Sequence, residues 1–147
     1  AMYNRLTKLP LGKQIFSKTV CLAAPYFSSI KPKISELKPG LCQVHMKKRR
    51  RVQNHLKTVH AIAMCNMAEL SAGLMMDVSV PKGARWIPAG MEVQYLKKAK
   101  THLTAVADGQ AIDWQTQGDV MVPVRVTDTQ NNLVFSAQVR MNIKHKS

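Results

Sequence analysis

A chain of 147 residues can bury one sizeable core but is short for two ordinary domains, and its 46% apolar content excludes an intrinsically disordered chain. Lys and Arg number 22 against eight Asp and Glu, a formal charge of +14, and that field draws polyanions or phosphate-bearing small molecules without choosing among them. The three cysteines, Cys21, Cys42 and Cys65, are widely spaced and form no CxxC, which excludes a disulfide framework and a zinc signature and fits a reducing, cytoplasmic setting.

The first 35 residues hold no acid and several Lys and Arg, but Leu9-Pro10-Leu11-Gly12 and Ala24-Pro25-Tyr26 break them into pieces unlike a single amphipathic presequence. They read as a helical extension, with short helices over 3–9 and 12–24. Leu11, Ile15, Phe16, Thr19, Val20 and Ala23 recur at helical spacing and predict a packed face. Lys31-Pro32-Lys33 and Lys38-Pro39-Gly40 read as connectors. Leu41 to Lys47 alternates, with Cys42, Val44 and Met46 on one side, and predicts a half-buried strand. The run Lys47 to Arg51, KKRRR, is either the solvated end of that strand or a phosphate-contacting patch. No aromatic residue interleaves with it, so no nucleic-acid partner is expected.

Residues 58–77, TVHAIAMCNMAELSAGLMMD, read as one helix that is apolar nearly all the way round. Only Thr58, His60, Asn66, Glu69, Ser71 and Asp77 interrupt it, and Thr58 is a candidate cap. A helix without a polar face must be wrapped on most sides. The interruptions make it too polar for a membrane span, so no membrane partner is expected. Its methionines, Met64, Met75 and Met76 among them, read as core filler rather than a ligand set.

Val80-Pro81-Lys82-Gly83 reads as a turn, and four strand candidates follow over 87–97, 101–108, 120–128 and 133–143. Asp108-Gly109 is a turn signal; the alternative is a strand that continues through a bulge toward Trp114. Pro123 lies opposite the face of Val120, Val122, Val124 and Val126 and predicts an edge strand or a bulge. The polar connector Thr127 to Asn132 predicts a hairpin, and short connections predict antiparallel neighbours. The fold class expected is α+β, a curled antiparallel sheet around one long helix. It forms a single domain over 1–147, with an extension over 1–35 and a core over 41–143.

Glu69 is the only acid between Glu36 and Asp77, and a carboxylate inside an apolar helix is costly unless paired, protonated or used. Asn66 and Gly73 share its stripe. Gly73 weakens the helix, so its expected use is to admit a close approach. His60 stands at the helix start, where free N–H groups and the positive dipole end can hold an oxygen that becomes negative. His60 also reads as a plain cap, and Glu69 as a surface acid. The two lie half a turn out of phase, so no metal is expected.

Asn54, then His60-Ala61-Ile62 six residues on, then Glu69 nine beyond the histidine, resembles the signature of hotdog-fold acyl-CoA thioesterases of the phenylacetate-pathway type. There an Asn, a His-Gly-Gly and a central-helix acid keep the same spacings. MEVQYLKKAKTHLTAVADG, from Met91, resembles the family's strand pair with its Tyr-Leu-Arg-Pro-Ala-like corner, and VMVPVRVTDTQNNLVFSAQVRMNI, from Val120, its final hairpin. The resemblance implies a homodimer or dimer of dimers, joined edge to edge, with active sites at the interface. It implies Glu69 as general base or nucleophile on a thioester, Asn54 and His60 as positioning groups, and the N–H of Ala61 or Ile62 as the oxyanion donor, with Asn66 and Gly73 beside the substrate. Lys97, Lys98, Lys100 and Arg51 would meet the phosphates of an acyl-CoA substrate, with no other cofactor. Two departures stand out. The family's His-Gly-Gly is His60-Ala61-Ile62, where bulky Ile62 is expected to fill part of the acyl site, and Lys57 stands where a Gly often precedes the loop's Thr. These departures resemble a divergent branch with an N-terminal helical extension. The alternative is a non-catalytic acyl or acyl-CoA-binding protein on the same fold.

Overall fold

The computed structural model describes residues 2–146. The chain opens with helices α1 (Met2–Leu6) and α2 (Gly12–Ala23) and a 3-10 turn over Pro25–Ile30. Tyr3 and Phe16 meet edge to face at 5.0 Å and are buried, but the face expected to pack is mostly open: Leu11, Ile15, Thr19 and Ala23 are exposed, and the buried residues of α2 are Gly12, Phe16 and Ser17. Strands β1 (Lys33–Lys38) and β2 (Leu41–Met46) follow, then a 3-10 turn over Arg50–Val52 and the long helix α3 (Ala61–Ser79). The remainder is β3 (Arg85–Tyr95), β4 (Leu103–Asp108), β5 (Gly118–Thr127) and β6 (Leu133–Lys144).

The six strands form one antiparallel sheet in the order β1-β2-β4-β5-β6-β3, and α3 packs against every one of them. This is the hotdog fold, of α+β class. Alternation sets the inner face: Val44, Leu103, Ala105, Val122, Val124, Phe135, Val139 and Met141 are all buried toward the helix. From the helix side Met67, Ala68, Met75 and Met76 fill the same space, the flexible thioethers taking the irregular volume between helix and curved sheet.

Several expectations are corrected. Residues 33–38 are a strand, not part of the connectors, so the sheet begins at Lys33 rather than Leu41. A register shift between Ile34 and Glu36 puts its buried residues, Ile34 and Leu37, three apart and hides the period of two. The helix cap is His60, not Thr58. Strand β4 ends at Asp108, where the turn signal puts its end, and the alternative of a continuation toward Trp114 is not realised. Pro123 lies in an interior strand. However, β5 pairs with β4 only as far as Val124, so at Pro123 one side is open and a missing N–H is tolerated. Helix α3 is long and apolar enough, by length and composition, to cross a membrane, contrary to the reading of it as too polar; its burial inside the sheet marks it as a core helix.

The two borders of the sheet differ. Helix α2 guards β1, where the Ser17 hydroxyl oxygen accepts the Ile34 N–H at 2.9 Å. Among the described residues strand β3 has no neighbour beyond it, and along it Ile87 is 61% and Tyr95 54% exposed.

Candidate functional site

The loop that leads into α3 is closed by a bridge between Gln53 and Val59. Asn54 organises it. Its Oδ1 accepts the N–H groups of Leu56 at 2.9 Å and Thr58 at 3.1 Å, and its Nδ2 donates to Thr58 Oγ1 at 2.9 Å. Lys57 takes the left-handed conformation, φ +62°, which explains why glycine suits that position. The Val59 N–H donates to Ala99 O at 2.8 Å and the His60 N–H to Val52 O at 2.7 Å, so the loop reaches the helix with fixed direction. Asn54 thus holds the turn and also borders a cleft of about 350 Å³ with Ala61, Tyr95, Lys97 and Lys98.

His60 caps α3 through its ring: Nδ1 accepts the Ile62 N–H at 3.0 Å. That donor is therefore spoken for. The Ala61 N–H, the first of the helix, has no hydrogen-bond partner among the described residues, and it lies at the positive end of the dipole. Ile62 is 53% exposed, and the rest of its side chain lines the cavity beside Asn66 described below.

Glu69 lies on the stripe Cys65, Glu69, Gly73, which faces β3. One turn before it the Cys65 thiol is 3.7 Å from the Tyr95 hydroxyl, a contact that pushes the Tyr95 phenol above its usual range. One turn after it Gly73 meets Trp86. The carboxylate is half-buried, not enclosed as expected, because the strand it faces is an open border. Among the described residues it makes no hydrogen bond or ion pair, and it borders none of the three described cavities.

Gly73 borders none of the three described cavities. A Cβ there would stand 3.0 Å from Trp86 Cη2, so the missing side chain admits the indole, whose Nε1–H donates to Asp77 Oδ1 at 2.8 Å. Trp86, Asp77, Arg85 and Lys144 line a cleft of about 600 Å³ at the C-terminal end of α3, which the sequence reading missed. The only signal for it was a large aromatic opening an otherwise ordinary strand.

Asn66 is 7% exposed and donates through Nδ2 to Ser29 Oγ at 3.3 Å. With Tyr26, Ser29, Arg51, His60 and Ile62 it lines a smaller cavity of about 190 Å³ beneath the N-terminal extension. Arg51 is thereby separated from Lys97 and Lys98, with which it had been grouped, and Lys100 borders neither space. The KKRRR run is not a simple strand end. β2 stops at Met46, and Arg49 Nη2 donates to Ser29 O at 2.5 Å. Ser29 and Tyr26 carry no signal in the sequence, since they lie in a segment that reads as a helical extension. Among the described residues no three His, Cys, Asp or Glu gather as a metal site.

A family profile described as a domain of unknown function, DUF4442, matches residues 12–143. The chain is similar to a crystal structure described as a genomics target, with TM-score 0.90 and 46% identity over 99% of this chain and 97% of that one. It is also similar to a thioesterase of Haemophilus influenzae (TM-score 0.73, 13% identity, 82% of each chain). A further likeness is to a Pseudomonas aeruginosa protein of unknown function named a probable thioesterase (TM-score 0.79, 16% identity, 94% of this chain and 97% of that one). At these last two identities the likeness shows the fold alone. No curated protein matches the sequence.

Proposed function

The chain belongs to the DUF4442 family, and from that membership and its hotdog fold we propose that it is an acyl-CoA thioesterase whose active site is completed by a second copy of the chain. The observation that carries this reading is the uncommitted Glu69 carboxylate, on the helix face toward the open border of β3. A lone acid on an apolar helix, with no partner in its own chain, has been kept for something outside it.

The separation of the two candidate groups argues for the second copy. Ala61 and Glu69 are eight residues apart on one helix, about 12 Å along its axis. Reacting groups need to come within about 3–3.5 Å. A thioester oxygen held by the Ala61 N–H is therefore out of reach of Glu69 of the same chain, and is served by Glu69 of the partner subunit. The exposed apolar row on β3 suits such an edge-to-edge pairing.

In this reading the Ala61 N–H and the helix dipole stabilise the oxygen as it becomes an alkoxide. The partner's Glu69 takes a proton from water as the water oxygen bonds to the thioester carbon. Collapse of the tetrahedral intermediate breaks the C–S bond, and the carboxylic acid returns the proton to the departing thiolate, leaving free acid and CoA thiol. His60 and Asn54 hold the helix start and its loop in place. Lys97 and Lys98, at the mouth of the neighbouring cleft, and Lys100 beyond them attract the CoA phosphates.

The test is thiol release from a series of acyl-CoAs, with sedimentation at the assay concentration. Glu69→Gln is expected to lower kcat by about 10²–10⁴ while the protein stays folded and dimeric. Turnover unaffected by this change would remove Glu69 from the chemistry. Binding of acyl-CoA without turnover by the wild type would support the non-catalytic acyl-CoA-binding alternative. In its favour, Glu69 borders none of the cavities described in the single chain.

A further inference from the structure

Helix α2 packs against β1 and buries Gly12, Phe16 and Ser17, which leaves its opposite face turned outward. The outward face of a surface helix is ordinarily polar. Here it carries Ile15, Lys18 and Leu22, which a turn of about 100° per residue places within an arc of about 60°. Leu11, whose carbonyl accepts the Ile15 N–H at 3.0 Å, stands one turn before them. Leu11 is 69%, Ile15 45% and Leu22 82% exposed, so a row of three large aliphatic side chains lies open along the helix. Tyr26, in the 3-10 turn just beyond, is exposed as well. The row belongs to the β1 margin, at the other end of the sheet from β3, so the pairing proposed above does not use it.

The charge around the row has one sign. Arg5, Lys8, Lys13, Lys18 and Lys31 lie in this segment, and the first acid of the chain is Glu36. Glu36 sits near Tyr3, whose phenol is pushed up by burial and then by that charge. It forms no ion pair: among the described residues the one ion pair is Arg140 with Asp119. The segment therefore presents aliphatic side chains and unpaired cations together.

That combination selects the occupant. A second copy of the same face would set Lys18 against lysines in a drying contact with no acid to pair them, which is costly. Nucleic acid answers the charge but takes aromatic side chains for stacking, and the row is aliphatic. An anionic bilayer answers both: its phosphates and carboxylates meet the cations, and the acyl boundary just beneath takes up the leucines and isoleucine. Lysines within such a row reach up to the headgroups on their own aliphatic stems.

We propose that the N-terminal extension docks the protein on an anionic membrane surface, with α2 lying in the plane of the headgroups, Leu11, Ile15 and Leu22 inserted at the acyl boundary, and Arg5, Lys8 and Lys18 at the level of the phosphates. This departs from the expectation of no membrane partner, which rested on α3. A helix of 12 residues is about 18 Å long, well short of the roughly 30 Å hydrocarbon core, so α2 lies on the membrane and does not span it.

The experiment sediments the whole chain with vesicles of phosphatidylcholine, with and without phosphatidylserine. Binding is expected only where phosphatidylserine is present, and it should weaken as salt is raised. A chain of charge +14 could adsorb by charge alone, so the deciding variant keeps the charge. Ile15→Gln with Leu22→Gln is expected to weaken binding by about 10- to 100-fold. Should the pair lower the melting temperature, Leu22→Gln alone, at an open position, is expected to weaken binding by roughly 10-fold. Arg5, Lys8 and Lys18 replaced together by Gln are expected to lose about 100-fold, and the same loss of charge at Lys82, Lys144 and Lys146 far less. Binding unchanged by the glutamine variants, or weakened equally by the two charge triples, overturns the proposal in favour of plain adsorption. No binding to either vesicle overturns it outright, and so does a glutamine pair that changes only the oligomeric state, which would assign the face to a second copy.

Discussion

Trp86 rests where a side chain on Gly73 would begin: a Cβ at residue 73 would stand 3.0 Å from its Cη2, while Asp77 holds the indole N–H at 2.8 Å. Two effects oppose each other at this position. Alanine is the better helix former by about 1 kcal/mol, but crowding a packed ring costs about 1–3 kcal/mol. The hydrogen bond to Asp77 limits how far the ring can retreat, so Gly73→Ala is expected to lose about 1 kcal/mol net in urea unfolding. In a Trp86→Ala background the same change is expected to gain about 0.5–1 kcal/mol. Stabilisation by Gly73→Ala in the wild-type background would show that the ring yields freely.

Lys57 offers the reverse case. A non-glycine residue at φ +62° bears a steric cost of about 1–2 kcal/mol. Glycine removes that cost but gives back about 0.5–1 kcal/mol in chain entropy. Lys57→Gly is therefore expected to raise stability by about 0.5–1 kcal/mol, read as a higher melting temperature. A lower one would mean that the lysine side chain makes a compensating contact.

His45 should give the protein an acid-side weakness. Its Nδ1 lies 2.8 Å from Thr104 Oγ1, and burial, reinforced by Lys33 and Lys13, holds the imidazole below its usual 6.5. Because the folded value is the lower one, the unfolded chain binds more protons at pH values between the two. The stability contribution is complete above about pH 6.5 and is lost as pH falls from there through the folded value. Melting temperature is expected to drop between pH 7.5 and 5, and to drop less in His45→Gln. Identical pH profiles for the two proteins would assign the acid sensitivity to other groups.

The parts of the fold that could be read in advance are those with an unbroken period. Val120 to Val126 and Phe135 to Ile143 alternate cleanly, and α3 is apolar all round because strands pack on so many of its sides. Strand β1 could not be read because its bulge breaks the alternation between Ile34 and Leu37. The cap was misplaced because Thr58, a good capping residue by type, is occupied by Asn54. Nor could local rules place β3 beside β6, since Arg85 pairs with Lys144 and Tyr95 with Phe135 across long stretches of chain. The site divides in the same way. Helical spacing alone puts Gly73 on the stripe of Glu69; Asn66, read on the same stripe, turns instead to Ser29, and Cys65 takes its place toward β3. The meeting of Asn66 with Ser29, 37 residues away, and of Gly73 with Trp86 depends on how the extension and the border strand fold back on the helix.

The unequal borders of the sheet limit how large an assembly can grow. A ribbon with two bare margins can add copies without end, as fibrils do. Here Ser17 ties up Ile34 at one margin, which leaves a single docking rail along β3. In the proposed dimer the two chains use that rail on each other, and neither offers another. Replacing Ser17 by alanine would leave the Ile34 N–H without its acceptor while α2 still covers that margin.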